Sequence, residues 1–280
     1  MGRGKTIVIA GSGRSGTTFL RRCFDEHPAL WTHPRSEIQF FGHPRYTFGL
    51  VGMQYEGDSG RVDPELLKGT CGRALDRLLG KSGHSALDRY GEAALRKSVR
   101  AFGEEISKKA IPPDEIWDRI GRWMWGLFVP SNCKKIWLQK TPWDCHYFDK
   151  LDQCFPNSKF VHIVRDPRDV IDSAMAKRWG GRTIVHAIGW YRLWAERWQQ
   201  AELRGVTRMP NYHEVRYERL VRDPAVWKKL LDFLEIKPLP RPDFKPVHQG
   251  RHKKWNDNQR REYRQMLTIY PWVERWHANK

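Results

Sequence analysis

The 280-residue chain contains no run of 18 apolar residues, which excludes a membrane-spanning helix. Its first residues, Met-Gly-Arg-Gly-Lys and then a short apolar stretch, lack the apolar core of a signal peptide. The expectation is a cytoplasmic protein, lumenal in the Golgi only if a leader has been trimmed away. Cysteine is scarce: Cys23, Cys71, Cys133, Cys145 and Cys154 make an odd count with no CxxC pair. That suits a reduced compartment and argues against a disulfide framework or a thiolate zinc site. The histidines show no HExxH or HxH spacing, so no metal is expected. Internal repeats and low-complexity tracts are lacking too, and with 14 Trp among the residues, disorder, collagen and coiled coil are poor readings. Acidic residues run short: 50 Lys and Arg face 32 Asp and Glu, leaving +18. Such a balance predicts anionic company, whether nucleic acid, acidic glycan, anionic nucleotide or lipid headgroup.

What is present alternates between two periods. Thr6 to Ala10 predicts a short buried strand, which runs through Gly11-Ser12-Gly13-Arg14-Ser15-Gly16-Thr17-Thr18 into helical spacing at Phe19, Leu20, Cys23 and Phe24, stopped at His27-Pro28. Residues 42 to about 115 carry helical patches at Pro64 to Leu79, Asp88 to Ala110 and Asp114 to Phe128. We read about 42–130 as a helical insertion or lid within a single domain, 1–280. Strand character returns at Lys135 to Gln139, Lys159 to Val164 and Tyr212 to Tyr217. After the second of these, Asp166 suits an N-cap, Pro167 the first helical position, and Asp169 the far side of a capping-box-like pair. The helix so begun puts Val170, Ile171, Ala174, Met175 and Trp179 on one face. A longer helix has Trp190, Trp194 and Trp198 at i, i+4, i+8, read as core packing. Pro224 to Glu235 predicts another helix, and the last begins near Asp257 with Tyr263, Met266, Leu267 and Tyr270. The fold class is α/β: a mostly parallel sheet covered by helices on both faces.

Two segments carry chemistry. The spacing Gly11-x-x-x-x-Gly16-Thr17-Thr18 is that of a phosphate-cradling Walker loop between a strand and a helix, which makes the sheet P-loop-NTPase-like. The lysine a triphosphate enzyme needs after the second glycine is Thr17 here, and the one cation in the loop is Arg14. The second segment, Arg165-Asp166-Pro167-Arg168-Asp169-Val170-Ile171-Asp172-Ser173, starts at a strand's end, where α/β proteins bind ligands. Arg165 and the Ser173 hydroxyl make a second phosphate site. Read blandly, Arg168, Asp169 and Asp172 are a solvated salt-bridge face. Two rival readings stand beside this one: a P-loop nucleotide kinase and a basic nucleic-acid-binding protein. The missing lysine weakens the first, and dispersed basic residues without a recognisable motif weaken the second.

Together, GSGRSGTTFL resembles the 5′-phosphosulfate loop, and IVRDPRDVIDS the 3′-phosphate motif, of sulfotransferases that use 3′-phosphoadenosine 5′-phosphosulfate (PAPS). HPALWTHPRSEIQFF, QKTPWDCHYFDKLDQCFPNSKFVHIVRDP and VRYERLVRDP with KKLLDFLEI resemble further stretches of the carbohydrate (heparan sulfate) and tyrosylprotein enzymes. The resemblance covers residues 6 to 41 and 136 to 236. It implies that Arg14, Ser15, Gly16, Thr17 and Thr18 hold the 5′-phosphosulfate and that Arg165 and Ser173 hold the 3′-phosphate, with Tyr217 a nucleoside contact. Arg251, Lys253 and Lys254 match a basic loop folded over the nucleotide, within HQGRHKKW (248–255). Glu37 matches a general base and Lys140 a lysine near the transferring group. The chain departs from its relatives in having Arg14 where the cytosolic enzymes have Lys, and Gln39 where the EVHFF-like stretch has His. His33 and His43 therefore stand as alternative bases. The implied reaction is in-line sulfuryl transfer from PAPS to an acceptor hydroxyl, leaving PAP (3′-phosphoadenosine 5′-phosphate) and needing no metal. A carbohydrate, an acidic glycan included, is preferred as acceptor over protein tyrosine or a small phenol. Trp117, Trp123 and Trp125 are candidate sugar-stacking rings, though their helical spacing suits a core.

Overall fold

Strand β1, Thr6–Gly11, is buried along its whole length, as a β-branched run must be when both faces of a sheet are covered. The structure, a computed structural model, describes residues 4–32, 37, 69, 85–107, 112–242 and 250–277. In it β1 is the middle strand of a five-stranded, all-parallel sheet of order β2-β3-β1-β4-β5. The others are β2 (Leu30–Thr32), β3 (Ile136–Lys140), β4 (Ser158–Val164) and β5 (Tyr212–Arg216). Leu30 registers with Ile136 across β2 and β3, and Phe160 with Tyr212 across β4 and β5. The α/β class expected from the alternation is the class observed. Strand β2 was not legible, because three residues are too few to display a period.

Two compact units divide the chain: Met1–Val8 with Pro28–Ser158, and Ile9–His27 with Lys159–Lys280. In the first, the described residues include α2 at Ser85–Ser107, interrupted at Gly91, and α3 at Pro113–Phe128. The Pro64 to Leu79 patch lies outside the described residues apart from Gly69. Pro113 opens α3, and Ile116, Trp117, Ile120, Met124, Leu127 and Phe128 form its buried face. Trp123 stacks on Phe102 at 4.4 Å and donates its indole N–H to Ser98 Oγ. Trp125 meets Trp137 edge-on at 5.7 Å. The candidate stacking rings are thus engaged in packing, Trp117 buried completely among them. A 3₁₀ turn, Pro142–Tyr147, and α4, Phe148–Cys154, complete this unit.

The second unit holds α1 (Thr17–Arg22), α5 (Pro167–Met175), α6 (Ile184–Leu203), α7 (Tyr217–Arg222), α8 (Pro224–Leu234) and α9 (Asp257–Ile269). Helix α1 is shorter than its apolar spacing suggested: after Arg22 the backbone tightens into i→i+3 bonds, Phe24 to Arg21 and Asp25 to Arg22. Cys23 follows it, its thiol bonded to Phe19 O and pushed up to about 12 by burial. Of the other described cysteines, Cys133 is half-buried and Cys145 and Cys154 are buried. Along α6, Trp194 and Trp198 are buried while Trp190 is only half-buried. Each step of four residues advances about 40° round a helix, so a stripe at i, i+4, i+8 winds off the core by its first member. The Trp198 ring lies 4.0 Å from His162 of β4, whose Nδ1 is 3.0 Å from Tyr212 Oη. Asn256 and Gln259 close a capping box at the start of α9. Among the described residues no helix is long and apolar enough to cross a membrane.

Truncating Trp198 to Ala should cost about 3–5 kcal/mol of unfolding free energy. The same change at exposed Leu203, one turn further along α6, should stay within about 0.5 kcal/mol. Urea titration of the two variants checks the contrast.

Candidate functional site

The glycine loop owes its shape to what stands behind it. A Cβ on Gly11 would lie 2.2 Å from the Ile163 carbonyl oxygen, so β1 can pass β4 at this point only without a side chain. Gly16 has φ +108°, and a Cβ there would meet the Tyr217 ring at 2.7 Å. Between them Arg14 also takes a left-handed conformation, φ +71°, which costs a non-glycine residue about 1 kcal/mol or more. That conformation directs Arg14 to the second motif. Its Nε donates to Ser173 Oγ at 3.0 Å, and its carbonyl oxygen accepts from Arg165 Nη1 at 3.2 Å. Ser15 is buried and ties the loop to itself through its hydroxyl on Ser12 O, 2.7 Å. Helix α1 starts at Thr17 with no side-chain cap on its first amides, which leaves them to whatever occupies the loop.

Arg165 is buried just past the end of β4, its guanidinium 5.1 Å from the centre of the Tyr217 ring. Partial burial and then the charges of Arg165 and Arg251 push the Arg14 guanidinium below its ordinary value. Cationic groups acting on Arg14 in this way suit a multiply charged anion. Tyr217 is itself buried, with Phe19 edge-on at 5.5 Å, so its ring serves as the wall behind Gly16 and Arg165. Lys253 and Lys254 lie on an exposed 3₁₀ turn, Arg251–Lys254.

The acidic residues of the second motif are not a solvated face. Asp166 caps α5 as expected and grips Arg168 through two side-chain bonds, 2.9 and 2.6 Å. Asp169 closes no capping box. Its carboxylate turns to the 250–252 segment, accepting from Gly250 N at 2.8 Å and from His252 N at 3.4 Å, with His252 Nδ1 at 2.7 Å. Arg165 stands 3.7 Å away on the same side. Asp172 accepts from Trp255 Nε1 at 3.0 Å. Burial alone would raise the Asp169 carboxyl; the bonds from His252 and Gly250 and the charge of Arg165 outweigh it and hold the group below its ordinary value.

Lys140 belongs to the first unit, at the carboxyl end of β3. Its side chain is buried, and Nζ sits 2.6 Å from Glu37 Oε1. The neighbouring Gln139 is fixed by Asp144 at 2.6 Å. The structure thus joins the residue expected as base to the lysine expected near the transferring group. The alternatives His33 and His43 lie outside the described residues, as does His248.

The family description that matches this sequence is "Sulfotransferase family", over residues 6–240. The chain belongs to the sulfotransferase family. Among solved structures it is similar to a sulfotransferase from Alicyclobacillus acidocaldarius, at 15% identity and a TM-score of 0.48 over 95% of each chain. A second is the sulfotransferase domain of the Synechococcus PCC 7002 olefin synthase, at 19% and 0.43 over 96% of this chain and 95% of that one. A third is sulfotransferase STF1 of Mycobacterium tuberculosis H37Rv, at 16% and 0.47 over 99% and 77%. Likeness at such scores carries no argument, and membership rests on the family match. No curated protein matches.

Family membership assigns sulfuryl transfer as the activity, and the kinase reading is set aside. Beyond the residues the sequence singled out for the site, this sulfotransferase uses Asp169 and Asp172 to hold the Arg251 segment. Their spacing, i and i+3 on a helix that Asp166 caps, was a signal that two carboxylates share one face. Nothing in the sequence said what they face. The sequence puts Trp179 on one face of the helix with Val170 and Ile171; it stands instead 55% exposed on a 3₁₀ turn, Arg178–Gly180, its ring 5.0 Å from that of Trp190 and tilted 56° to it. Both rings rest against Gly13 of the loop. The helix ends at Met175, so the periodicity that would have buried Trp179 is lost before it is reached.

Because its native carboxyl lies below the unfolded value, Asp169 contributes stability that is fully present above about pH 4 and is lost as pH falls through the native value. Asp169→Asn should therefore melt lower than the parent at pH 7, with the gap narrowing on acidification below about pH 4. Paired melting curves across pH 3–7 check this.

Proposed function

We propose that this sulfotransferase takes its sulfuryl group from PAPS, releases PAP, and delivers the group to a hydroxyl of a carbohydrate acceptor. The observation that supports the donor is a glycine loop without a Walker lysine whose Arg14 is joined to Ser173 and Arg165 of the second motif, with the charge of Arg251 acting on it. A nucleotide phosphorylated at both the 3′ and 5′ positions presents anionic groups at two points. The loop and the Arg165–Ser173 pair offer two points to receive them. The loop residues fit a phosphosulfate: Gly11 and Gly16 expose backbone, the first amides of α1 lack a side-chain cap, and Arg14, Ser15, Thr17 and Thr18 supply donors. Exposed Trp179, its ring tilted against Trp190 beside Gly13, supports an acceptor that carries a sugar ring, since the apolar face of a saccharide packs on an indole.

In the proposed step Glu37 accepts the proton of the acceptor hydroxyl as that oxygen bonds to sulfur. The bond between sulfur and the bridging 5′-phosphate oxygen breaks, and its electron pair stays with the phosphate. Arg14, the loop N–H groups and the Thr17 and Thr18 hydroxyls stabilise the charge that develops there without rearranging. Lys140 holds the Glu37 carboxylate until the hydroxyl arrives. Arg165 and Ser173 take no part in bond making; they hold the 3′-phosphate and so the whole donor.

Saturating PAP, at about 100 times its dissociation constant, stabilises the native state by about 2.7 kcal/mol, a melting shift of roughly 5–10 °C for a chain of this size. ADP should give a much smaller shift, and Arg165→Ala should abolish the preference. Equal shifts with the two nucleotides would sink the donor assignment.

In turnover assays that follow PAP formation over a panel of saccharides, Glu37→Gln should lose about 10²–10⁴ in kcat while keeping its PAP-induced shift. Trp179→Ala should raise the acceptor KM and leave that shift in place.

A further inference from the structure

The stretch from Gly250 to Trp255 is pinned at both ends, and both pins are carboxylates on one face of α5. At one end Asp169, only 2% exposed, accepts from the backbone amides of Gly250 and His252 and engages the His252 ring at 2.7 Å. At the other, Asp172 accepts from the Trp255 indole at 3.0 Å. The Trp255 ring is buried and lies edge-on to Tyr263 of α9 at 5.7 Å. Directly after it, the Asn256–Gln259 capping box sets the first turn of α9. Between the pins stands Arg251, whose charge reaches Arg14. Asp169 also faces Arg165 at 3.7 Å, so a single carboxylate borders the buried cation of the second motif while it anchors the segment bearing the third.

We propose that Asp169 and Asp172 are positioning residues that latch the 250–255 segment onto α5 and thereby present Arg251 to the donor phosphates. This rests on the PAPS reading. Neither carboxylate touches the donor: two anions facing a polyanion directly would oppose it, and here both are consumed by N–H donors of the segment. Their contribution is to fix the segment that carries Arg251, whose charge acts on Arg14 and whose repulsion by that guanidinium would otherwise drive it into solvent. A latch of this kind changes donor affinity and leaves the chemistry at sulfur alone.

The test is titration calorimetry with PAP on the full chain, comparing the parent, Asp172→Ala, Trp255→Phe, Arg251→Ala and the Asp172→Ala/Arg251→Ala double variant. Trp255→Phe keeps a ring in place and removes only the indole N–H. Asp172→Ala and Arg251→Ala should each weaken PAP binding about ten-fold, the worth of one charge-assisted contact. The double variant should bind no more weakly than Arg251→Ala alone, because the latch acts through that side chain. Trp255→Phe should follow Asp172→Ala, and Asp172→Asn, whose amide oxygen still accepts the indole N–H, should recover most of the affinity. In turnover the donor KM should rise with kcat unchanged. PAP binding by the parent that is indifferent to Asp172→Ala, or losses that simply multiply in the double variant, would overturn the latch and leave the donor reading intact. A parent chain that does not bind PAP overturns the donor reading itself and Arg251's role with it. Asp169→Asn, read by amide exchange at Gly250 and His252, supplies a check without ligand: faster exchange at both amides supports the latch, and unchanged protection overturns it.

Discussion

Three guanidinium groups held near one another, Arg14, Arg165 and Arg251, impose the constraint to which the second unit is organised. Like charges repel, the more so where burial thins the water between them, so each has to be restrained. Each is restrained differently. Arg14 is held by an unfavourable backbone angle and by the Ser173 hydroxyl. Arg165 is held by burial, the Tyr217 ring and the carbonyl of Arg14, and Arg251 by a segment anchored through its neighbours. The glycines of the loop, the cap on α5 and the aromatic wall behind Gly16 follow from packing these restraints into a small space. The repulsion stored there is what an incoming polyanion relieves, and the relief grows with the number of charges it brings.

The part of this arrangement that is local in sequence was legible in sequence. Gly11 and Gly16 bracket a loop between a strand and a helix, and Asp166-Pro167 announces a helix start. Those signals depend on residues a few positions apart, and the structure places the loop and the helix where they indicated. Signals that depend on distant partners were not legible. Asp169 reads equally well as a capping residue or as a solvated charge until Gly250 and His252, some eighty positions away, are seen to use it. Trp179 looked like the last member of a buried stripe because nothing in the pattern marks Met175 as the end of the helix. Trp123 and Trp125 had the chemistry of a sugar platform and the spacing of a core, and Phe102 and Trp137 show that packing uses them.

In the first unit the logic is that of a single pair. A lysine buried at the end of a strand is tolerated only with its charge answered, and Glu37 answers it at 2.6 Å. The pairing constrains both groups: each side chain is oriented by the other before any hydroxyl arrives. Gln139, clamped by Asp144, fixes the strand end from which Lys140 projects, so the pair inherits the rigidity of the sheet.

The latch on the 250–255 segment recognises mostly main chain. Two of the three groups that Asp169 receives are peptide N–H groups, which any amino acid but proline supplies. Anchoring is therefore nearly blind to the side chains it carries, and the left-handed φ of +73° at Gly250 is the one backbone demand in the turn. Evolution or a protein engineer can rewrite the cations at 251, 253 and 254, and with them the charge pattern offered to a ligand, without rebuilding the scaffold that displays them.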